Sequence, residues 1–381
     1  MTKLINQIDD SLLLKRDVPL DIDLRGAYYR DTTRILHSSS FSRLKHKTQV
    51  FYAPKNDHIC TRIEHVLHVA SIATSITKGF NLDADLAWAI GVGHDLGHSP
   101  FGHVGERILN EIALKDNLDP FQHEVNSLRV VRFLANKGKG LNLTYAVQDG
   151  IVTHCGEKFS QYLKPSFQVK DLDTIKTIGL DPTTYEGAIV RFSDSIAYIG
   201  RDFEDAKRLG IIDGTTLNKE VVKVLGSSNS QIISTLANNI IENSNPDDGI
   251  GFSDEVFQAV LEFKDYNYEH IYKSELLNGY TSYFRRLIYL IYEYLTDLFA
   301  RCQDDKALYE KEKNLLSASF YAYYTSMKEA YLLHDGNLNR MFVDYIAGMS
   351  DNFAIDAGEE ILKPEHLNEQ ITDTLYDKWL S

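Results

Sequence analysis

Between residues 94 and 103 the chain reads HDLGHSPFGH, which sets His94, Asp95, His98 and His103 beside two glycines and a proline. Ionisable groups at this density are costly to bury unless they pair with one another or bind a metal. Neutral imidazole and carboxylate are the donors that Zn, Mn, Fe and Mg sites use, so metal-dependent chemistry is the first expectation. Two further positions have the same character. In segment 61–79, at about 100° per residue, Ile63, Val66, Leu67 and Ala70 form one apolar stripe, and Val69, Ile72 and Ile76 form a second that includes His65. A helix apolar on two sides is a central one, and a histidine buried there needs a partner, which its own helix does not offer. Asp194 lies in an otherwise apolar turn, and Asp194, Tyr198 and Asp202 follow one another at i, i+4 and i+8 on one helix face. Its carboxylate either pairs locally, with Arg191 or Arg201, or faces a cation, and on its own segment the two readings balance. Together His65, His94, Asp95 and Asp194 suit a hard or borderline divalent ion, with positions left for water and a phosphate oxygen.

The elements that must carry these groups are helical. Segments 61–79, 82–95, 104–115, 123–136, 184–209, 217–225, 229–243, 253–264, 270–299, 305–334 and 336–348 all have helical periodicity, and no run of alternating strands is evident. The fold class expected is all-α. Breaks fall at 53–58 (with Pro54), 116–120, 137–142, 164–166 and, most strongly, 244–251. The organisation expected is a segment 1–60 carrying substrate and interface residues, a metal-binding core over 61–210, and a helical part over 211–381 packed on that core as one unit.

Bulk properties narrow the function. The 381 residues carry a net charge of −14, which argues against a protein whose main task is gripping a nucleic-acid backbone. A small anionic substrate in a locally basic pocket remains compatible with that balance. Cys60, Cys155 and Cys302 are far apart and odd in number, so neither a disulfide frame nor a cysteine-based zinc site is expected. No signal-peptide pattern opens the chain, and no apolar stretch approaches the ~20 residues of a membrane span. A cytoplasmic, reducing setting and no membrane partner are therefore expected.

Five blocks in order carry a resemblance: YYRDTTRILHSSSFSRLKHKTQVF (28–51), TRIEHVLHV (61–69), HDLGHSPFGHVGE (94–106), FQHEVNSLRVV (121–131) and SDSIAYIGRDFEDA (193–206). The chain resembles the HD-domain metal-dependent phosphohydrolases, and within them the deoxyguanosinetriphosphate triphosphohydrolase-like branch, which includes the bacterial dGTPase-like proteins and the vertebrate SAM-and-HD dNTPase. The resemblance runs from about residue 25 to 210 and more loosely to about 300. It implies a divalent ion (Mn, Mg, Fe, Ni or Zn) on His65, His94, Asp95 and Asp194. It implies that Arg62 binds phosphate, and that Gln49 and Asp202 read the deoxyribose 3′-hydroxyl. Tyr198 would lie against the sugar and exclude a 2′-hydroxyl. It places His98 and His123 near the α-phosphate, with Glu106 orienting His123 and His103 facing phosphate or supporting the others.

The implied reaction is hydrolysis of a dNTP to deoxynucleoside and inorganic tripolyphosphate, by attack of metal-activated water at the α-phosphorus. Relatives assemble as tetramers or hexamers, and some require a second dNTP as activator, so homo-oligomers are expected. One departure is Ser195, where the vertebrate enzyme has a phosphate-holding lysine; Arg43, Lys45 and Lys264 are the candidate replacements. Among other residues, His58 and His68 read as surface, His37 and His46 sit in a basic run without an assigned role, and His154 is balanced between pocket and helix end. The tyrosines of 266–298 read as core and oligomer interface, and of these Tyr272 is kept as a pocket residue. Two rivals stand beside this reading: another HD-type phosphohydrolase acting on a monophosphate, a cyclic nucleotide or a guanosine polyphosphate, and a non-catalytic dNTP sensor.

Overall fold

The computed structural model describes residues 3–21, 24–52, 56–156, 159–213 and 217–362. Pro54 of the expected 53–58 break and residues 363–381 of the expected C-terminal part lie outside the described residues. The described chain is helical throughout apart from one short antiparallel pair, Tyr162–Leu163 with Ile250–Gly251. Strands of two residues are too short to leave an alternating pattern in a sequence.

Three helices form the centre: α1 (Arg62–Gly79), α2 (Ala84–Gly93) and α3 (Tyr185–Arg208). Local chemistry fixes where each begins. Thr61 and Glu64 form a capping box, in which the Thr61 backbone N–H donates to Glu64 Oε2 at 2.8 Å. Asp83 caps α2 by accepting from the Leu86 N–H, and Thr184 caps α3 by accepting from Gly187 N–H at 3.1 Å. Val66, Val69, Ala70, Ile90, Ile189 and Val190 are fully buried where these helices meet, in the first of two large cores. That core continues through Phe252 and Phe263, so the 244–251 break lies within it.

The second core joins α4 (Gly102–Lys115) to the later helices α5 (Glu275–Cys302), α6 (Leu315–His334), α7 (Met341–Ala347) and α8 (Asp351–Leu362). Ile108, Leu109, Ile288, Ile291, Phe320 and Met341 pack there at 1% exposure or less. The later helices therefore cover one flank of the site-bearing segment.

Several expected helices have other bounds. The 82–95 helix stops at Gly93, and 305–334 divides into Lys306–Lys311 and α6, where Lys313 has φ +51° and Asn314 caps the new helix. The 123–136 helix becomes His123–Arg129 followed by a π-helical turn, Val130–Leu134. Helices at Ala27–Leu36, Ser39–Arg43 and Tyr145–Val152 were not expected. Every residue of Tyr145–Val152 is buried, so it shows no apolar face against a polar one, whereas Ala27–Leu36 does segregate its apolar residues but is short and buries Asp31 and Thr32 among them. No described helix is long and apolar enough to cross a membrane.

Candidate active site

His65 stands one turn inside the capped start of α1, and His94 and Asp95 follow the last residue of α2, so the packing of these two helices brings the three side chains together. Their ligand atoms lie within 4.8 Å of one another, and all three residues are at most 3% exposed. Asp194 arrives from α3 and meets His65 Nε2 at 2.9 Å through Oδ1, which lies 4.0 Å from His94 Nε2. Its partner is thus a histidine of another helix, and Arg201 pairs instead with Asp205 at 3.2 Å.

His94 Nδ1 donates to the Gly91 carbonyl at 2.7 Å, which leaves Nε2 as the acceptor, buried and without a hydrogen-bond partner among the described residues. A buried nitrogen lone pair aimed at two carboxylates and an imidazole suits a cation. The donor set, two imidazoles and two carboxylates, fits a divalent ion. Arg62, from the first turn of α1, forms a buried ion pair with Asp95 and donates to the Gln49 carbonyl at 3.3 Å. Burial opposes the charge on Asp95, but the Arg62 guanidinium and the surrounding imidazoles outweigh it and hold the carboxyl well below the usual carboxylate range.

Beside this cluster lies a second one. His123 opens its helix, and its Nδ1 donates to Glu106 Oε1 at 2.9 Å while its backbone N–H donates to the same oxygen at 2.8 Å. His103 Nδ1 contacts Glu106 Oε2 at 2.9 Å. Burial disfavours the imidazolium of His123, but Glu106 and Glu124 override it and hold His123 well above the ordinary histidine value. His98 stacks on the His123 ring at 4.5 Å between centroids. Burial, then the neighbouring Arg62 and His123 cations, push His98 well below the ordinary value, and neither of its ring nitrogens has a hydrogen-bond partner among the described residues.

The helix ending at Gly93 separates these roles. His94 and His98 do not share a helical face; the chain turns, and His98 stacks in the second cluster while His94 joins the first. The turn is clamped from outside. Gly97 N–H donates to Ser127 Oγ at 2.9 Å, Asn126 Nδ2 donates to the Gly97 carbonyl at 2.7 Å, and a Cβ on Gly97 would meet Ser127 N at 2.1 Å. From the later helices, Asp351 accepts from Thr48 N–H and Phe101 N–H, both at 2.9 Å. Lys47 donates to the His98 carbonyl and, at 2.8 Å, to that of Ala347.

Both clusters open onto one cavity of about 480 Å³. On its other side Tyr272 donates to Asp202 Oδ2 at 2.6 Å, and Lys264 Nζ donates to the Tyr198 hydroxyl. Tyr272 is presented by a π-helical turn, Tyr268–Tyr272. Burial pushes Asp202 up to about 7. Gln49 also lines the cavity, and its Oε1 is buried with no partner among the described residues. Every expected site residue lies at this cavity or in the two clusters.

Of the three replacements for a phosphate-holding lysine, only Lys264 lines the cavity; Lys45 is exposed elsewhere and Arg43 donates to Ser40 Oγ at 3.1 Å. Several lining residues carry no expected site role, and three of them stand near the metal-fitting cluster or on the helix of Asp194. His154, with its ring centroid 4.7 Å from that of His94, resolves to the pocket, and burial followed by its imidazole neighbours lowers it to about 3. Cys155 and Arg191 are the others. The unusual run THCGE was the one sequence signal for His154 and Cys155.

Residues 62–199 match the HD domain and residues 250–360 the phosphohydrolase-associated domain. The chain is 35% identical over 353 residues to a deoxyguanosinetriphosphate triphosphohydrolase-like protein of Caldanaerobacter subterraneus subsp. tengcongensis, covering 91% of this chain and 88% of the relative. Proteins of the same name from Desulfatibacillum aliphaticivorans and Clostridium tetani are each 33% identical, over 90% of this chain and 89% and 87% of theirs. With the geometry of the His65–His94–Asp95–Asp194 cluster, the second histidine cluster and these matches in hand, the chain belongs to the HD-domain phosphohydrolases of the deoxyguanosinetriphosphate triphosphohydrolase-like family.

Proposed function

We propose that the protein hydrolyses deoxynucleoside triphosphates to deoxynucleoside and inorganic tripolyphosphate. The observation that carries this reading is that the two clusters share one cavity with Gln49, Tyr198, Asp202 and Tyr272. Cleavage of a bare phosphate ester requires the first two features but not the third.

His65, His94, Asp95 and Asp194 would hold the divalent ion, which when bound supplies Lewis acidity toward the phosphate and a water of lowered pKa. Water oxygen bonds to the α-phosphorus as the bond from phosphorus to the 5′-oxygen breaks. His123 delivers a proton from Nε2 to the leaving 5′-oxygen, while Glu106 keeps Nδ1 protonated and the ring oriented. Arg62 and His98 face the phosphoryl oxygens, with His103 supporting Glu106. Gln49 and Asp202 bind the 3′-hydroxyl, Tyr272 orients Asp202, and Tyr198, braced by Lys264, closes the space a 2′-hydroxyl would need. Assembly as a homo-oligomer and activation by a second dNTP belong to the same proposal, and light scattering with and without dNTP tests them.

The test of the reaction is product analysis with each of the four dNTPs and GTP in Mn²⁺ or Mg²⁺. Deoxynucleoside and tripolyphosphate from dNTP but not GTP support it. Orthophosphate or pyrophosphate would assign a different HD phosphohydrolase chemistry, and nucleotide binding without turnover, singly or in mixtures, would make the protein a sensor.

A further inference from the structure

The cavity extends past the metal-ligand cluster toward the N-terminal end of α3, where Arg191 lines it. On this helix Arg191, Ser195, Tyr198 and Asp202 fall at i, i+4, i+7 and i+11, on one face with Asp194 beside them. At about 1.5 Å per residue, Tyr198 and Asp202 stand ~6 and ~12 Å beyond Asp194 in one direction, and Arg191 stands ~4.5 Å from it in the other. A nucleotide whose sugar meets Tyr198 and Asp202, and whose α-phosphate lies at the Asp194 cluster, must run its remaining phosphates toward Arg191.

The guanidinium there is weakly engaged. Its side chain is 17% exposed, and it meets the Leu180 carbonyl at 3.3 Å and the half-exposed Asp181 carboxylate at 3.9 Å. A guanidinium offers five donors in a planar fork and stays charged, so these two long contacts, the polar ones it makes among the described residues, use little of its capacity. The chain also keeps space for it. A Cβ built on Gly156 would lie 1.2 Å from Arg191 Nη2, so the guanidinium occupies the position of a side chain at 156. Lys264, 4.1 Å over the Phe159 ring, lines the same cavity.

We infer that Arg191, accommodated by Gly156, is the binding site for the terminal phosphate of a triphosphate chain. The inference rests on the dNTP reading above for the direction in which the chain runs. Arg191 touches neither the metal donors nor His123 in the contacts described, so it contributes binding that is equal in ground and transition states.

The test titrates inorganic tripolyphosphate and pyrophosphate into the Mn²⁺-loaded protein by calorimetry, for wild type, Arg191→Met, Arg191→Lys and Gly156→Ala. Arg191→Met is expected to weaken tripolyphosphate by about tenfold or more and pyrophosphate by less than about threefold. Gly156→Ala, which displaces only the flexible end of Arg191, is expected to act in the same direction, and Arg191→Lys to restore part of the affinity. Unchanged tripolyphosphate affinity in both Arg191→Met and Gly156→Ala overturns the inference, as does a wild type that binds no tripolyphosphate. If Arg191→Met does not fold, Gly156→Ala decides alone. Hydrolysis followed in parallel separates the two claims. Tripolyphosphate binding through Arg191 with a different hydrolytic product sinks the proposed reaction and keeps the arginine, whereas tripolyphosphate production with unchanged affinities does the reverse.

Discussion

His65, His94 and Asp95 project from the ends of two helices packed into one core, whereas Gln49, Lys264 and Tyr272 come from a loop, a separate helix and a π-helical turn. The electrostatics of the two ends differ in the same way. At the metal-ligand end the charge states are set by strong neighbours: Asp95 is anionic beside Arg62, His123 cationic beside Glu106 and Glu124, and His98 neutral between cations. At the end around Asp202 the contacts are phenols, an amide, the Lys264 ammonium and one carboxyl raised to about 7 by burial. An end whose charges are held by strong neighbours suits chemistry, because donors already in place need no reorganisation as charge develops. The other end suits selection by shape.

Removing a metal ligand is expected to have the largest effect. Asp95→Ala should lower kcat by at least ~10³-fold and abolish stoichiometric metal binding, measured by elemental analysis. The same change strands the buried Arg62 and is expected to cost on the order of 3 kcal/mol of stability. Retention of bound metal by this variant would break the contrast between the ends.

Next in size is the proton-transfer pair. His123→Gln should lower kcat by ~10²- to 10⁴-fold with substrate binding retained. Glu106→Gln sharpens the test through pH. The Glu106 charge helps keep the proton on His123, so neutralising it lets that proton leave at lower pH, and the basic limb of the kcat profile should move down. A limb that moves up, or stays, contradicts the assignment.

Tyr272→Phe leaves Asp202 without its donor. It should raise KM for dNTP by about five- to tenfold with kcat and metal content unchanged, as expected for uniform binding. A fall in kcat instead would mean that the two ends are not separable.

The smallest effect expected is on stability. Asp202 has a folded-state pKa of about 7, above its unfolded value, so between those values the folded protein binds more protons than the unfolded one. Stability contributed by this group is therefore highest below the unfolded value and falls as pH rises toward about 7. Asp202→Asn should remove that slope, so its unfolding free energy relative to wild type, from denaturant melts, should be higher at pH 8 than at pH 5, by on the order of 2 to 3 kcal/mol. A difference independent of pH would show that the carboxyl titrates normally.

The metal-ligand end was legible because its residues are rare inside apolar helices: His65 and Asp194 stand out against the valines and isoleucines around them. The partnership between them was not, since 129 positions separate the two residues and a nearer arginine offered a simpler pairing for Asp194. For the same reason Arg191 stood in the sequence only as one of two possible local partners for Asp194. Lys47, which ties the His98 carbonyl to that of Ala347, and Asp351, which holds Thr48 and Phe101, are ordinary charges in the sequence, and only the packing of the later helices buries them. The helices Ala27–Leu36 and Tyr145–Val152 escaped because they bury Asp31, Thr32, Gln148 and Asp149, and the partners of Asp31 and Asp149 lie far away in the chain. Periodicity finds a helix that sorts apolar from polar over several turns; Tyr145–Val152 does not sort them, and Ala27–Leu36 does so over ten residues only.

The central claim is that water attacks the α-phosphorus and releases the whole triphosphate chain. Turnover of a dNTP in ¹⁸O-labelled water, with the products resolved by mass spectrometry, tests it directly. The account predicts one labelled oxygen in tripolyphosphate and none in the deoxynucleoside. Label in orthophosphate or pyrophosphate, with a deoxynucleotide as the other product, would contradict it.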